Sequence, residues 1–232
     1  MECDEKLKFC GIKIMKLLLT SDGLSNASIS KALEELLGKS AQGVKLAFIP
    51  TAANVEPGDK SWMINDLNNF RKTGFEVDIV DISAVSKVVW LPRLQEAELL
   101  FLGGGNTFHL MHWVKQSGLQ EELPELLKTR VYAGISAGSC IAGPTIYNSV
   151  QKSLWRKVRA EIKEGLGLVD FQFIPHLNSP YFKNIREDNL KKAAKDLTDP
   201  VYALDDNSAL KIVDGKVEVI SEGNYLTFNL LQ

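Results

Sequence analysis

Cysteine is scarce in this sequence of 232 residues, and long apolar runs are missing. The three cysteines, Cys3, Cys10 and Cys140, are odd in number and lack metal-ligand spacing, which argues against a disulfide framework and favours a reducing compartment. No segment approaches the ~20 apolar residues of a membrane span, and no export signal accompanies the short apolar stretch Leu17–Leu19. We therefore expect a cytoplasmic protein with no membrane partner.

An excess of charge of one sign is also missing. The 27 basic and 29 acidic residues give a net charge of −2, and the basic residues are scattered, so we expect no nucleic-acid partner. Hydrophobic residues make up 45% of the chain and charged residues 24%, which is ordinary usage for a globular protein with a sizeable core. No stretch has the composition of a linker, so we expect one domain over residues 1–232 that binds small molecules.

Short apolar runs alternate with segments of helical period along most of the chain. This alternation predicts an α/β fold with a doubly wound, mostly parallel sheet and helices on both faces. The predicted strands are Ile14–Leu19, Val44–Ile49, Glu76–Asp81, Glu98–Gly103, Val131–Ile135 and Phe171–Pro175. The predicted helices include Ser28–Leu37, Trp62–Thr73 and Thr107–Gln116, the first two followed by the C-cap glycines Gly38 and Gly74.

The end of the chain changes to short β-like runs at Val201–Leu204, Ala209–Val213 and Lys216–Ser221. The last two runs are joined by Asp214-Gly215, a strong signal for a two-residue hairpin turn. We therefore predict antiparallel strands near the C-terminus, at an edge of the mostly parallel sheet. The polar, basic segment Tyr147–Gly165 fits no regular element and is interpreted as an excursion or a lid.

A G-x-S-x-G motif, Gly134-Ile135-Ser136-Ala137-Gly138, follows the apolar run Val131–Ile135 and precedes a segment of small residues. Ligands of open α/β sheets bind beyond the carboxyl ends of the strands, which makes this position a candidate site. Glycines permit a sharp turn that lifts the serine hydroxyl clear of the sheet, and the amides that follow can face a developing negative charge. The motif predicts Ser136 as a nucleophile, and a Gly-Ser turn without function is the alternative.

Three consecutive glycines, Gly103-Gly104-Gly105, follow another apolar run and precede Asn106. Such glycines leave backbone amides uncovered, and Asn106 is a suitable N-cap for the predicted helix Thr107–Gln116. The loop suits a phosphate site, an oxyanion-hole amide or a tight turn. The glycines alone do not decide among these three roles.

A serine nucleophile needs a base, and the chain has three histidines. His109 and His112 lie three residues apart in a predicted helix, and without a third suitably spaced ligand we expect solvated or packed side chains rather than a metal site. His176 follows the end of an apolar run, so its position favours it as the base. Cys140, four residues past Ser136, is interpreted as a buried small residue rather than a nucleophile.

The acid that orients the base must also lie at the end of a strand. Asp205 and Asp206 follow the run Val201–Leu204 and meet this requirement. Asp170 precedes His176 by six residues of extended chain, which would place it about 20 Å away. The resulting order of serine, histidine and acid differs from the serine, acid, histidine order of common α/β-hydrolases.

Four blocks of the sequence occur together and in order: Phe48-Ile49-Pro50-Thr51-Ala52, Gly103-Gly104-Gly105-Asn106-Thr107-Phe108, Gly134-Ile135-Ser136-Ala137-Gly138 and Pro175-His176. With these blocks the chain resembles the peptidase E family of serine peptidases over nearly its whole length. Members of that family share a fold with class I glutamine amidotransferases but carry serine where those enzymes have cysteine. The resemblance implies the same α/β fold.

The resemblance also implies catalytic roles. Ser136 would attack the peptide carbonyl, and His176 would relay the proton. The family acid is usually a glutamate in a short loop before a β-run, and the matching residue here is Asp206, with Asp205 as the alternative. An aspartate is one methylene shorter than the usual acid, so its contact with His176 is the point that the structure must decide.

Further residues are implied for the oxyanion and for the substrate. The amides of Ala137 and of Gly104 or Gly105 would hold the tetrahedral oxyanion. Asn106 and Arg186 are the expected substrate-binding residues. A guanidinium at Arg186 suits the side-chain carboxylate of an aspartyl substrate, and the alternative is a surface arginine at a helix start.

The implied activity is hydrolysis of small peptides, in particular dipeptides with an N-terminal aspartyl residue, through an acyl-enzyme. No cofactor and no metal are expected, and the protein would act as a monomer or a homodimer. Two alternatives stay open. The chain would hydrolyse another amide, such as a cyanophycin-like β-aspartyl polymer, or it would bind a ligand on the same fold without catalysis.

Overall fold

The computed structural model describes residues 15–146, 163–195 and 198–230. Cys3, Cys10 and most of the segment 147–165, interpreted above as an excursion or a lid, lie outside these residues. The helices are α1 (Ala27–Leu37), α2 (Thr51–Asn54), α3 (Ser61–Thr73), α4 (Lys87–Glu96), α5 (Thr107–Gln116), α6 (Leu119–Leu126), α7 (Ala137–Cys140) and α8 (Glu187–Ala194). The strands are β1 (Lys16–Thr20), β2 (Lys45–Ile49), β3 (Glu76–Ile79), β4 (Leu99–Leu102), β5 (Val131–Ile135), β6 (Gln172–Ile174), β7 (Val201–Leu204), β8 (Ser208–Val213), β9 (Lys216–Ser221) and β10 (Tyr225–Phe228).

The larger sheet has seven strands in the order β3-β2-β4-β5-β1-β8-β9. Strands β1 to β5 are parallel, and β5 pairs with β1 so that Ile135 lies opposite Thr20. Strand β8 pairs antiparallel with β1, and β9 pairs antiparallel with β8. The predicted α/β fold with antiparallel strands near the C-terminus is confirmed, as is the hairpin at Asp214-Gly215, where both residues have positive φ.

Alternate residues of each central strand face opposite sides of this sheet, as the period of a β-strand requires. In β1, Leu17 and Leu19 pack into a core that includes residues of α4, α5 and α6, whereas Leu18 packs into a second core with residues of α1 and α3. Both faces are therefore covered by helices, and the strands between them are nearly all apolar, as expected of a buried parallel sheet.

The predicted C-cap glycines of α1 and α3 are confirmed. Asn26 caps α1, with its side-chain oxygen accepting a hydrogen bond from the amide of Ile29 at 3.0 Å. Gly38 and Gly74 end α1 and α3 with φ of 74° and 105°, values that favour glycine. In the described part of the chain, no helix combines the length and the apolar composition that crossing a bilayer takes.

The structure differs from the sequence-based prediction in where two of the apolar runs pair. Strands β6 and β7 do not join the larger sheet but pair in parallel with each other, and β10 adds antiparallel to β7, in a separate three-stranded sheet. Ile174, Leu190, Val201 and Ala203 form part of a third, smaller core there. An apolar run shows that a strand is buried, but it does not show which sheet the strand joins.

Candidate active site

Three chain segments converge at the carboxyl end of β1. Strand β5 is parallel to β1 and ends beside it, which brings Ser136 to this end. Strand β8 is antiparallel to β1, so its first residues lie at the same end, with Ala209 opposite Thr20 and Asp206 in the turn just before. His176 comes from the smaller sheet, two residues after β6.

Ser136 occupies a strained strand-to-helix turn. Its φ of 49° and ψ of −104° lie outside the regions that side chains ordinarily adopt, and its amide donates to Thr20 O at 3.1 Å. The two glycines of the motif make the turn possible because a Cβ on Gly134 would lie 2.5 Å from the backbone of Gly138, and one on Gly138 would lie 2.1 Å from Leu102 O. The predicted motif therefore forms a turn that only glycine permits at these positions.

The Ser136 side chain contacts His176, which in turn contacts Asp206. Ser136 Oγ lies 2.9 Å from His176 Nε2, and His176 Nδ1 lies 2.7 Å from Asp206 Oδ1. His176 is 7% exposed, and its imidazole ring stacks on the ring of Phe182 with the centroids 4.1 Å apart and the planes 5° apart. The structure thus brings together the three residues that the sequence predicted as nucleophile, base and acid.

Asp206 is held in its charged form. Burial alone would raise the pKa of Asp206, but the hydrogen bond and charge of His176, together with a hydrogen bond from Ser21, outweigh burial and leave this pKa below its usual range. An ionised Asp206 accepts a hydrogen bond from His176 Nδ1–H, which leaves Nε2 without a proton and able to accept a hydrogen bond from the Ser136 hydroxyl. The aspartate, although shorter than glutamate, reaches the imidazole directly.

Asp205 has a different set of contacts, which resolves the alternative left by the sequence. Its Oδ1 accepts from the Asn207 amide at 3.1 Å and from Ser208 Oγ at 2.6 Å, and its Oδ2 accepts from the Asn224 amide. The Asp205 carboxylate therefore links two turns by hydrogen bonds, whereas the Asp206 carboxylate faces the His176 imidazole.

The other candidates for the acid, the base and the nucleophile lie apart from the contacts among Ser136, His176 and Asp206. Asp170 is exposed and precedes β6, at the end of that strand opposite His176. His109 and His112 lie on α5 with their rings against Trp113, and within the described ranges no group of three metal-binding side chains occurs. Cys140 is partly buried, and the loss of solvent raises the pKa of its thiol to about 12, so the sulfur stays protonated.

The candidate oxyanion amides border the serine. An ideal Cβ on Gly104 would lie 3.6 Å from Ser136 Cβ, so the glycine backbone is adjacent to this serine. The amides of Gly104, Gly105 and Ala137 have no acceptor among the described residues. Gly105 has φ of 128° and packs so tightly on Ala52 that a side chain would overlap the Ala52 carbonyl.

The two predicted substrate-binding residues both make structural contacts. Asn106 Oδ1 accepts from the His109 amide at 2.9 Å, which makes Asn106 the N-cap of α5 as predicted. Arg186 donates from Nη1 to Phe182 O at 3.1 Å and Ile185 O at 2.9 Å, and from Nη2 to Ser179 O at 3.0 Å. Further N–H groups remain on each side chain for a substrate.

Several residues at the site were not predicted. Ser21 follows β1, as the predicted nucleophile and base follow their strands, so the same strand-end criterion would have found it. Trp62 lies on α3 and is 38% exposed. Its ring borders Gly104, since an ideal Cβ on Gly104 would lie 3.5 Å from the nearest ring carbon of Trp62. No sequence signal marks this tryptophan, because its place depends on how α3 packs.

Two carboxylates also lie near the site. Burial is the larger cause, and the negative charge of Asp206 the second, of the raised pKa of Asp22. The nearby His176 offsets part of this increase. Burial, followed by the charge of Asp22, raises the pKa of Asp66 to about 7. One oxygen of Asp66 is buried and has no hydrogen-bond partner in the described part of the chain.

Comparisons of the sequence and of the structure with known proteins point to the same peptidase family. The model of peptidase family S51 matches residues 17–220. The chain is 30% identical over 184 residues to an uncharacterized peptidase of Listeria monocytogenes, which covers 78% of this chain and 87% of the relative. It is 30% identical over 208 residues to a peptidase E of Streptomyces coelicolor, with 85% and 81% covered. A crystal structure of a candidate peptidase E from Listeria monocytogenes superposes with a TM-score of 0.76 at 25% identity, covering 90% of this chain and all of the other.

The tight turn at Ser136 generates a prediction about stability. We expect Gly138→Ala to lower the free energy of unfolding by about 3 kcal/mol or more, because the added methyl group meets the Leu102 backbone at 2.1 Å. Gly104→Ala is the matched control, since its methyl group would meet its nearest neighbours at 3.5 Å and 3.6 Å, which are ordinary contacts. Urea unfolding followed by circular dichroism measures both variants, and equal stabilities would contradict the prediction.

The raised pKa of Asp66 predicts a pH-dependent stability. The folded chain keeps the Asp66 proton up to about pH 7, whereas the unfolded chain loses it near the ordinary value of 3.8. The folded state therefore holds more protons in this window, and its stability falls as the pH rises through it. Allowing for the partial exposure of Asp66, the loss is on the order of 2 kcal/mol.

The neutral variant Asp66→Asn removes this loss. We expect the difference in unfolding free energy between Asp66→Asn and the unmodified chain to shift in favour of the variant by about 2 kcal/mol between about pH 5 and about pH 8. Urea titrations at several pH values measure it. A difference that stays constant across the range would show that the Asp66 pKa is not raised.

Proposed function

Because the chain belongs to peptidase family S51, we propose that it is a serine peptidase in which Ser136 is the nucleophile, His176 the base and Asp206 the acid. The observation that carries this proposal is the continuous line of contacts from Ser136 Oγ through both nitrogens of His176 to Asp206, at 2.9 Å and 2.7 Å. A nucleophile within reach of a base that is oriented by a third group is the arrangement that acyl transfer needs.

The geometry supports a two-stage reaction. Ser136 Oγ forms a bond to the substrate carbonyl carbon while its proton passes to His176 Nε2, and the charged Asp206 stabilises the imidazolium. The C–N bond of the substrate then breaks, His176 returns the proton to the leaving amine, and an ester to Ser136 remains. Water, deprotonated by His176, attacks this ester and releases the acid product with Ser136 regenerated.

The negative charge that develops on the carbonyl oxygen needs donors beside the nucleophile. The amides of Ala137 and of Gly104 or Gly105 have no acceptor among the described residues and lie next to Ser136 in the chain or in space. Preorganised amides of this kind stabilise a tetrahedral intermediate, and each is worth about 2.7–4 kcal/mol where such donors have been removed from other enzymes.

We propose further that the protein is an exopeptidase whose substrates are short peptides. Dipeptides that begin with an aspartyl residue are the proposed preferred substrates. The relatives named peptidase E support a peptidase activity. The choice of an aspartyl substrate is supported by the Arg186 guanidinium on the loop that follows His176. An arginine pairs with a carboxylate through two parallel hydrogen bonds, which suits a side chain as short as that of aspartate.

The proposal that Ser136 is the nucleophile is tested with the variant Ser136→Ala. We expect turnover to fall by about 10⁴-fold or more while the unfolding free energy stays within about 0.5 kcal/mol, because the substitution removes only the attacking oxygen. The assay uses Asp-X dipeptides, isoaspartyl dipeptides, a cyanophycin-like polymer and blocked esters, so that it also separates the alternative amide substrates. Turnover that survives in Ser136→Ala would rule out the assignment.

A fluorophosphonate probe separates catalysis from ligand binding without knowledge of the substrate. We expect it to label the unmodified chain and to leave Ser136→Ala unlabelled. Cys140→Ala is the control for a second nucleophile and should label normally, because a thiol with a pKa of about 12 is not ionised. A chain whose serine does not react would instead support a ligand-binding protein.

The role of Arg186 in substrate choice is tested by the ratio of kcat/KM for an aspartyl dipeptide to kcat/KM for a neutral dipeptide. We expect Arg186→Met to lower kcat/KM for Asp-Leu relative to that for Ala-Leu by at least about tenfold, because only the first substrate carries a side-chain carboxylate. Lys183→Met is the matched control, since it removes an exposed cation from the same loop. If both substrates lose activity equally in Arg186→Met, Arg186 only holds its loop.

A further inference from the structure

We propose that Ser21 is a positioning residue of this site, whose hydroxyl joins the main chain of His176 to the carboxylate of Asp206. The inference rests on the proposed function of Ser136, His176 and Asp206. It assigns a role to a residue that no motif marks and that lies far from all three in sequence. Ser21 follows the central strand β1 and is fully buried.

Ser21 lies between the strand ends that carry the other residues. Thr20, the last residue of β1, lies opposite Ile135 of β5 on one side and Ala209 of β8 on the other. The amide of Ser21 donates to Ser208 O at 3.3 Å, which continues the pairing with β8 by one residue. The Ser21 side chain therefore directly follows an interior strand of the sheet, four of whose five residues are buried.

The direction of each hydrogen bond at Ser21 follows from the donors available. The amide of His176 can only donate, so Ser21 Oγ accepts from it, at 2.8 Å. The single hydroxyl proton is then directed to Asp206 Oδ1 at 3.0 Å. The same Oδ1 accepts from His176 Nδ1 at 2.7 Å, so three contacts form a closed ring through Ser21, Asp206 and His176.

This ring constrains two things that catalysis by His176 requires. It fixes the Asp206 carboxylate in the rotamer that faces the imidazole, because Oδ1 accepts one hydrogen bond from Ser21 and one from His176. It also holds the main chain of His176, whose φ of 65° is in the left-handed region, where a residue with a side chain is strained. Without the hydroxyl, the buried His176 amide would lose its acceptor.

Other contacts hold the imidazole but do not replace this one. The next amide, that of Leu177, donates to Leu204 O at 2.9 Å, and Phe182 stacks on the imidazole ring. Neither contact touches the Asp206 carboxylate. Ser179 also acts at both places, since its side chain helps to lower the pKa of Asp206 and its amide donates to His176 O at 3.1 Å. Ser21 differs from it because one hydroxyl group bonds both to the Asp206 carboxylate and to the His176 amide.

A buried serine that only stabilises the fold would behave differently from a positioning residue. Thr51 provides the matched control: it is also fully buried, it also follows a parallel strand, and its Oγ1 donates to Asp81 Oδ1 at 2.7 Å. Thr51→Val removes the same kind of bond, from a hydroxyl to a carboxylate, at a place without contact to the three residues. Ser21→Ala also removes the acceptor of the His176 amide, so the effect of each variant is compared as kcat per folded chain and not as stability.

The test compares Ser21→Ala, Ser21→Thr and Thr51→Val in the full chain, with kcat and KM corrected for the folded fraction. We expect Ser21→Ala to lower kcat by about 10- to 100-fold with KM within about twofold, because the substrate does not bind to Ser21. Ser21→Thr keeps the hydroxyl and should recover most of the lost kcat, and Thr51→Val should retain normal kcat. If Ser21→Ala does not fold, Ser21→Cys, a similar shape with a weak hydrogen-bonding group, takes its place.

A second measurement does not depend on turnover. The proton on His176 Nδ1, bonded to Asp206, gives a downfield proton NMR signal, which we expect to shift or broaden in Ser21→Ala and to stay unchanged in Thr51→Val. An unchanged signal and a normal kcat in Ser21→Ala, or an equal loss of kcat in Thr51→Val, would overturn the inference. Activity that survives in Ser136→Ala would instead overturn the proposed function, and the NMR comparison would then decide the role of Ser21 alone.

Discussion

The pairing of β8 against β1 is the constraint on which the site depends. Because β8 runs antiparallel to β1, the turn before it lies at the carboxyl end of β1, and this turn carries Asp206. The parallel pairing of β5 brings Ser136 to the same end from the other side. The proposed nucleophile and the proposed acid thus flank β1, and His176, which comes from the smaller sheet, contacts both.

The end of β1 also stabilises the unusual backbone of the site. Ser136 and His176 both have positive φ, and both of their amides donate to residues at this end, Thr20 and Ser21. Strained conformations of this kind persist only where neighbouring contacts compensate for them. Buried backbone groups with fixed partners supply that compensation here, so the sheet also holds in place the loops that carry the proposed catalytic residues.

Much of this arrangement could be predicted from the sequence, and the remainder depends on tertiary packing. Ser136 and His176 were identifiable because each follows an apolar run, and the carboxyl ends of such strands share one edge. Strand position alone left Asp205 and Asp206 equivalent, and only the family resemblance placed Asp206 first, because adjacent residues in a turn point in different directions that the turn geometry decides. Similarly, an apolar run at β6 does not reveal that it joins a separate sheet, and Trp62 reaches the site only through the packing of α3.

The contacts of Asp205 have a consequence for engineering. This carboxylate is bonded to Asn224 in the connection between β9 and β10, and a side chain at Gly223 would overlap it at 2.1 Å. Foreign peptide inserted in that connection would therefore disturb the residue next to Asp206, the proposed acid. The Asp214-Gly215 hairpin lies at the far end of β8 and Gly215 faces open space, so a reporter or affinity tag is better accommodated there.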